Sequence, residues 1–255
     1  MRQPLLIDRL LAHGGIRAML QPVYVISRGA PAACGVECLS RGPAGSNAES
    51  ASVLFDYVRR KKREAAIDRA CIAASMRAAA GLKTDVRVGL NVHAATLARD
   101  EGFAAWMLEQ LKEQGIASNR VVLEIVEHAP AQDLESLAET LAVLRGDGVR
   151  LALDDVGLGT SGLRMVVEWA PDYIKIDRFF VAQAPKDRLR RAVIDSIVAL
   201  AEGIGAVTVA EGVETQDELK LVTDRGVRLV QGWVFCEALP PDALSRRTPE
   251  LFQTA

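Results

Sequence analysis

The chain has 255 residues, 49% of them apolar and 25% charged, with a formal net charge of −2. That balance fits a globular protein long enough to bury one large core, and it argues against a nucleic-acid polymer, DNA or RNA, as partner, which would call for a basic excess. No apolar run approaches the ~20 residues of a membrane span. Asp8 and Arg9 directly follow the apolar residues 5–7, leaving no signal-peptide core, so a cytoplasmic location is expected.

In chain order, residues 1–15 are expected to form an N-terminal helix or arm, 16–248 a barrel and 249–255 a tail. Strands are predicted near 23–27 and 35–39, then a loop over 41–50, whose RGPAGSNAES is rich in Gly, Pro, Ser and Asn. Helices are expected over 51–60 and 65–80. β-branched runs follow at 86–92, 121–125, 149–153, 172–176, 206–210 and 227–230. Between them Leu134, Leu137, Leu141 and Leu144, and again Leu189, Val193, Ile197 and Leu200, recur at helix spacing. Alternating strands and helices imply a mainly parallel sheet. About eight strand candidates fit a single-domain α/β fold, a modified TIM-type (β/α)8 barrel; an open doubly wound sheet is the alternative. Cys34, Cys38, Cys71 and Cys236 make no C-x-x-C pair, and His13, His93 and His128 have no finger-like spacing to them. The four read as buried, reduced thiols.

Nearly every strand candidate carries a polar group at or near its end: Glu37, Asn91, Glu124, Asp154 with Asp155, Lys175 with Asp177, Glu211 and Gln231. In a parallel barrel the C-terminal strand ends converge on the face where active sites are built. A lone acid at a strand end is usually a helix cap or a solvated residue. The adjacent pair Asp154–Asp155 after an apolar strand, with polar strand ends repeated in one register across the chain, points instead to a hard divalent cation held by oxygen ligands, such as magnesium or manganese. Two such ions on shared carboxylates suit phosphodiester cleavage, and Lys175 is placed either to assist a nucleophilic water or to form a structural salt bridge. The stretch Gly157-Leu-Gly-Thr-Ser-Gly162 matches a dinucleotide fingerprint, but the acids just before it would repel a pyrophosphate. These glycines read as a loop over the metal site.

The motifs, taken together, resemble those of the EAL family of cyclic di-GMP phosphodiesterases over nearly the whole chain. They are Gln21-Pro-Val, Glu37-Cys-Leu-Ser-Arg41, Asn91-Val-His-Ala, Leu123-Glu-Ile-Val-Glu127, Asp154-Asp-Val-Gly-Leu-Gly159, Ile174-Lys-Ile-Asp177, Ala210-Glu-Gly-Val-Glu214 and Gln231-Gly-Trp. The resemblance implies a cytoplasmic bacterial second-messenger hydrolase that converts cyclic di-GMP to linear pGpG with two Mg2+ or Mn2+ ions. It implies Glu37, Asn91, Glu124 and Asp154 as ligands of the first metal, with Asp154 shared and Asp155 completing the second site. Lys175 is implied at the nucleophilic water, Glu211 as a further acid at the metal centre and Gln231 beside the water network. Gln21, Leu39, Arg41 and Asp68 are implied in substrate binding, with Glu127, Asp177 and Glu214 as supporting acids. A homodimer through the face near the loop after Asp155 is also implied. That loop reads DDVGLGTSG where the family favours DDFGTGYSS. The alternative is therefore a weak or inactive EAL domain that serves as a cyclic di-GMP receptor or protein-interaction module.

Overall fold

A computed structural model describes residues 6–12, 14–27, 30–126, 134–154 and 162–253. Eight strands close into a barrel in sequence order: β1 (Arg17–Val25), β2 (Ala32–Arg41), β3 (Arg87–His93), β4 (Val121–Val126), β5 (Arg150–Leu153), β6 (Tyr173–Ile176), β7 (Val207–Ala210) and β8 (Leu229–Val230). The open-sheet alternative is excluded. Every neighbouring pair from β2 to β8 is parallel, whereas β1 runs antiparallel to both β2 and β8. A short reversal between Val25 and Ala32 permits a hairpin there, while the parallel pairs need longer crossovers. Hairpin pairing also lengthens the first two strands beyond their apolar cores, since Arg17 lies opposite Arg41.

Helices α1 (Leu6–Leu11), α2 (Ala51–Lys61) and α3 (Glu64–Ala79) pack Leu10, Leu54, Val58 and Ile67 into a side cluster against the barrel wall. Helices α4 (Ala94–Arg99), α5 (Phe103–Glu113), α6 (Leu134–Gly146), α7 (Gly162–Trp169), the short α8 (Arg178–Val181), α9 (Arg188–Ile204) and α10 (Gln216–Asp224) continue the outer ring, with α11 (Pro241–Arg247) after the last strand. Local signals set their limits. Asp187 accepts from Leu189 N at 2.8 Å to start α9, and Gly205, with φ 76°, ends it. Near the C-terminus Leu251 is buried and Phe252 bridges to Leu82. No helix among the described residues is long and apolar enough to cross a membrane.

Period-two alternation decides what faces the interior. Gln21 lies opposite Glu37, Glu37 beside Gly89 and Gly89 beside Val122. A second row runs through Asn91, Glu124, Ala152, Tyr173 and Val207. Barrel strands are tilted, so one ladder row descends from the C-terminal mouth towards the floor as it crosses strands. Residues two places further along each strand, Asp154 and Lys175, therefore stay level with Asn91 and Glu124.

Candidate active site

That level is a polar layer closing the C-terminal mouth. Lys175 is 3% exposed and sits among four carboxylates. Its Nζ lies 2.5 Å from Glu124 Oε2 and 3.6 Å from both Glu37 Oε2 and Asp154 Oδ2, and it contacts Glu211 Oε1. Carboxylate oxygens of Glu37, Glu124 and Glu211 come within 4.8 Å of one another. Asn91 Nδ2 donates to Glu37 Oε1 at 2.9 Å; Gln231 Nε2 donates to Glu37 Oε2 at 2.7 Å and to Gln21 Oε1 at 3.0 Å. Gly89 makes room beneath: a Cβ there would stand 2.0 Å from Glu124 Oε1, so only glycine lets that carboxylate lie over the strand.

One ammonium cannot balance four carboxylates, Glu37 and Glu124 buried and Asp154 and Glu211 half-buried. Burial lifts the Glu124 carboxyl to about 8; Lys175 opposes the lift, while Glu37 and Asp154 add to it. Burial likewise pushes Glu211 well above the carboxylate range despite Lys175. At Glu37 burial also disfavours the charge, but Lys175, Asn91 and Gln231 outweigh it and hold the carboxyl below its usual value. Burial alone would lower the Lys175 pKa; the surrounding acids reverse this and raise it well above that of an ordinary lysine.

Two oxygens in this layer lack aligned donors. Glu211 Oε1 touches the Lys175 ammonium without hydrogen-bond geometry, and buried Gln231 Oε1 has no hydrogen-bond partner. An unpartnered buried oxygen is costly. The donor set of Glu37, Asn91, Glu124, Asp154 and Glu211 is all oxygen and amide, with no thiol or imidazole. It fits a hard divalent cation, whose charge would stabilise the ionised carboxylates that burial disfavours at Glu124 and Glu211.

Two recesses flank the layer and share Glu37, Leu39 and Asp154. One, of about 260 Å3, adds Gln21, Arg178, Glu214 and Trp233. The other, of about 290 Å3, adds Arg41, Phe55, Asp68 and His93. Asp68 is buried at its wall with both oxygens engaged: Oδ2 accepts from His93 N at 3.0 Å and Thr96 Oγ1 at 2.5 Å, and Oδ1 faces His93 Nδ1 at 2.8 Å. The Arg41 guanidinium donates to the Ser40 carbonyl at 2.9 Å. Two expected acids stand apart from the cluster. Asp177 accepts from Phe179 N at 2.6 Å and caps α8, while Glu214 pairs with Arg178 at 2.8 Å on the rim. Asp155, Glu127 and the 156–161 loop lie outside the described residues. Sequence reasoning did not single out Phe55, His93, Arg178 or Trp233 as site residues; Trp233, 65% exposed, directly follows the Gln231-Gly motif. Of the cysteines, Cys38, Cys71 and Cys236 are buried as expected, whereas Cys34 is only half-buried.

Known proteins resemble this chain to different extents. The protein Rv1354c of Mycobacterium tuberculosis is 34% identical over 186 residues, 71% of this chain and 30% of that protein. The cyclic di-GMP phosphodiesterase RocR of Pseudomonas aeruginosa is 34% identical over 171 residues, 66% of this chain and 42% of that protein. The structure of Klebsiella pneumoniae BlrP1 with calcium and cyclic di-GMP superposes with a TM-score of 0.78 at 25% identity, covering 94% of this chain and 58% of that one. The matched stretch is less than half the length of these curated relatives. Residues 6–238 match the EAL domain family itself. A barrel whose first strand is reversed, with acids and one lysine gathered at its C-terminal mouth and a family match across nearly all of its length, is a member of the EAL domain family.

Proposed function

We propose that the chain is a cyclic di-GMP phosphodiesterase that hydrolyses one phosphodiester bond to give linear pGpG. The observation that carries this reading is the buried Lys175 ringed by Glu37, Glu124, Asp154 and Glu211 between two recesses. A ligand with two similar nucleoside halves about a phosphate ring fits a paired recess with the reacting group at its centre. Glu37, Asn91, Glu124 and Asp154 would hold one Mg2+ or Mn2+ ion, and Asp154 with Asp155 a second. When bound, such ions neutralise phosphoryl charge and lower the pKa of water.

The chain's own residues do the rest. Lys175 remains protonated among the acids, so it donates to the attacking water oxygen and fixes its direction. Glu211, whose carboxyl burial pushes upward, stands beside it to accept the proton. Gln231 and Gln21 brace Glu37 through linked amide hydrogen bonds. Leu39, Arg41 and Asp68 line the recess that would seat one guanine and its phosphate, with Asp68 acting through His93 and Thr96. Asp177 and Glu214 support the neighbouring loops through α8 and Arg178. A cytoplasmic location suits a nucleotide second messenger. On α7, Leu163 and Val167 are 67% and 82% exposed just after the 155–161 loop, which supports a homodimer through that face.

The test is incubation of purified protein with cyclic di-GMP in Mg2+, in Mn2+ and in chelator, with chromatographic separation of the nucleotides. Metal-dependent pGpG is the expected outcome. Retention of unhydrolysed nucleotide in every condition would overturn hydrolysis in favour of a receptor. Neither product nor retention would leave a protein-interaction module.

A further inference from the structure

Below the acidic layer the barrel is hollow. A cavity of about 320 Å3 extends from the underside of Glu124, Lys175 and Gln231 towards the opposite, N-terminal mouth. Branched side chains in layers ordinarily fill this space in a (β/α)8 barrel. Here Gly35, Gly89 and Ala152 line it instead, with little or no side chain to fill the interior. The remaining walls are apolar, formed chiefly by Val23, Val122, Val209 and Leu229.

The floor carries charge. Arg87 donates to the Tyr173 hydroxyl and lies over that ring, 5.7 Å from its centroid, and it makes no ion pair among the described residues. Burial and then the neighbouring Arg150 pull its pKa below the ordinary arginine value. The acids nearby make no ion pair with it. Asp172 accepts from Leu151 N at 2.9 Å and faces Arg145 at 3.9 Å, reaching Arg87 only as a longer-range charge. Asp85 lines the same cavity and acts on Arg120. Arg87 is therefore a cation without an ion-pair partner beside an apolar space about twice the ~150 Å3 cavity that accommodates benzene.

We propose that this cavity is a second ligand site that takes a small amphipathic carboxylate, with its tail along the valine and leucine walls and its carboxylate on Arg87. Its roof is the underside of Glu124, Lys175 and Gln231, so it shares a wall with the upper mouth without needing any reaction there.

Isothermal titration calorimetry of the full chain with sodium octanoate tests it, with octanol as the uncharged counterpart and acetate as the tail-less one. A single saturable octanoate site is expected, about tenfold or more tighter than octanol, as one charge-assisted hydrogen-bonded pair would give, with no detectable acetate binding. Arg87→Met should reduce octanoate to the affinity of octanol, and Ala152→Phe should abolish both. Octanoate should also slow alkylation of Cys34, which lines the same cavity, by iodoacetamide as read by peptide mass spectrometry. Absence of saturable binding overturns the proposal, as does binding that Arg87→Met leaves unchanged or that does not protect Cys34. The last two readouts stand even if Ala152→Phe fails to fold.

Discussion

Replacing Gly89 with alanine should disable the site without substituting a ligand residue. The added Cβ would stand 2.0 Å from Glu124 Oε1 and 3.1 Å from Glu124 Cδ, where ordinary contact begins at 3.4 Å. The carboxylate oxygen must therefore retreat by more than 1 Å, roughly the displacement that costs a positioned group about 10²-fold in rate. The same movement breaks the 2.5 Å contact between Glu124 Oε2 and Lys175. Overpacking should cost about 1–3 kcal/mol of stability, which a chain of this size can absorb. The assay pairs manganese affinity by calorimetry with the rate of pGpG formation at saturating metal. Metal affinity should fall about tenfold or more and the rate about 10²-fold, with the circular dichroism spectrum retained. Gly35→Ala is the control: its Cβ would meet Arg87 at 3.3 Å, a contact relieved by a few tenths of an ångström, so activity should persist. A folded Gly89→Ala protein with unchanged metal affinity and rate would refute the reasoning.

Three further outcomes are expected. In chelator, thermal stability should fall as pH rises from about 5 to about 8. Glu124 keeps its proton in the fold up to about 8, above its ordinary value of 4.5, while the unfolded chain has already released it, so each such proton contributes a slope of up to ~1.4 kcal/mol per pH unit. Glu211 acts in the same direction, depressed Glu37 acts only at lower pH, and Lys175 stays protonated in both states across this window. Glu124→Gln should flatten the slope, and a melting midpoint that rises over this range contradicts the assignment. Lys175→Met should lower kcat by about 10²-fold or more, and an unchanged rate would reduce Lys175 to a structural counter-ion. Thr215→Ala removes the acceptor for Glu218 N, 3.2 Å away, and half of a reciprocal cap on α10. Differential scanning calorimetry should register a loss of about 1 kcal/mol, or roughly 2–4 °C, with turnover unchanged; a matching loss of turnover would show that this helix start positions the site.

The sequence by itself determined the alternation of strands and helices and marked the seven residues that form the barrel's polar layer. β-branched runs end in Glu37, Asn91, Glu124, Asp154, Lys175, Glu211 and Gln231, and strand alternation carries that pattern into three dimensions without needing to know which strands are neighbours. It did not determine the reversal of β1, which depends on a hairpin closing against β2 and on pairing with β8 at the far end of the chain. Nor could it separate Asp177 from the acids around it: an aspartate at a strand end reads alike whether it faces the mouth or caps the next helix, and only the chain's departure into α8 decides. The tertiary structure alone placed Lys175 among acids drawn from four other strand ends, a contact set by barrel tilt. It alone turned Gly89 from a weak strand residue into the space beneath Glu124. It also revealed the hollow above Arg87, because a cavity is a property of side chains that are absent from several strands at once, and no local window of sequence contains it.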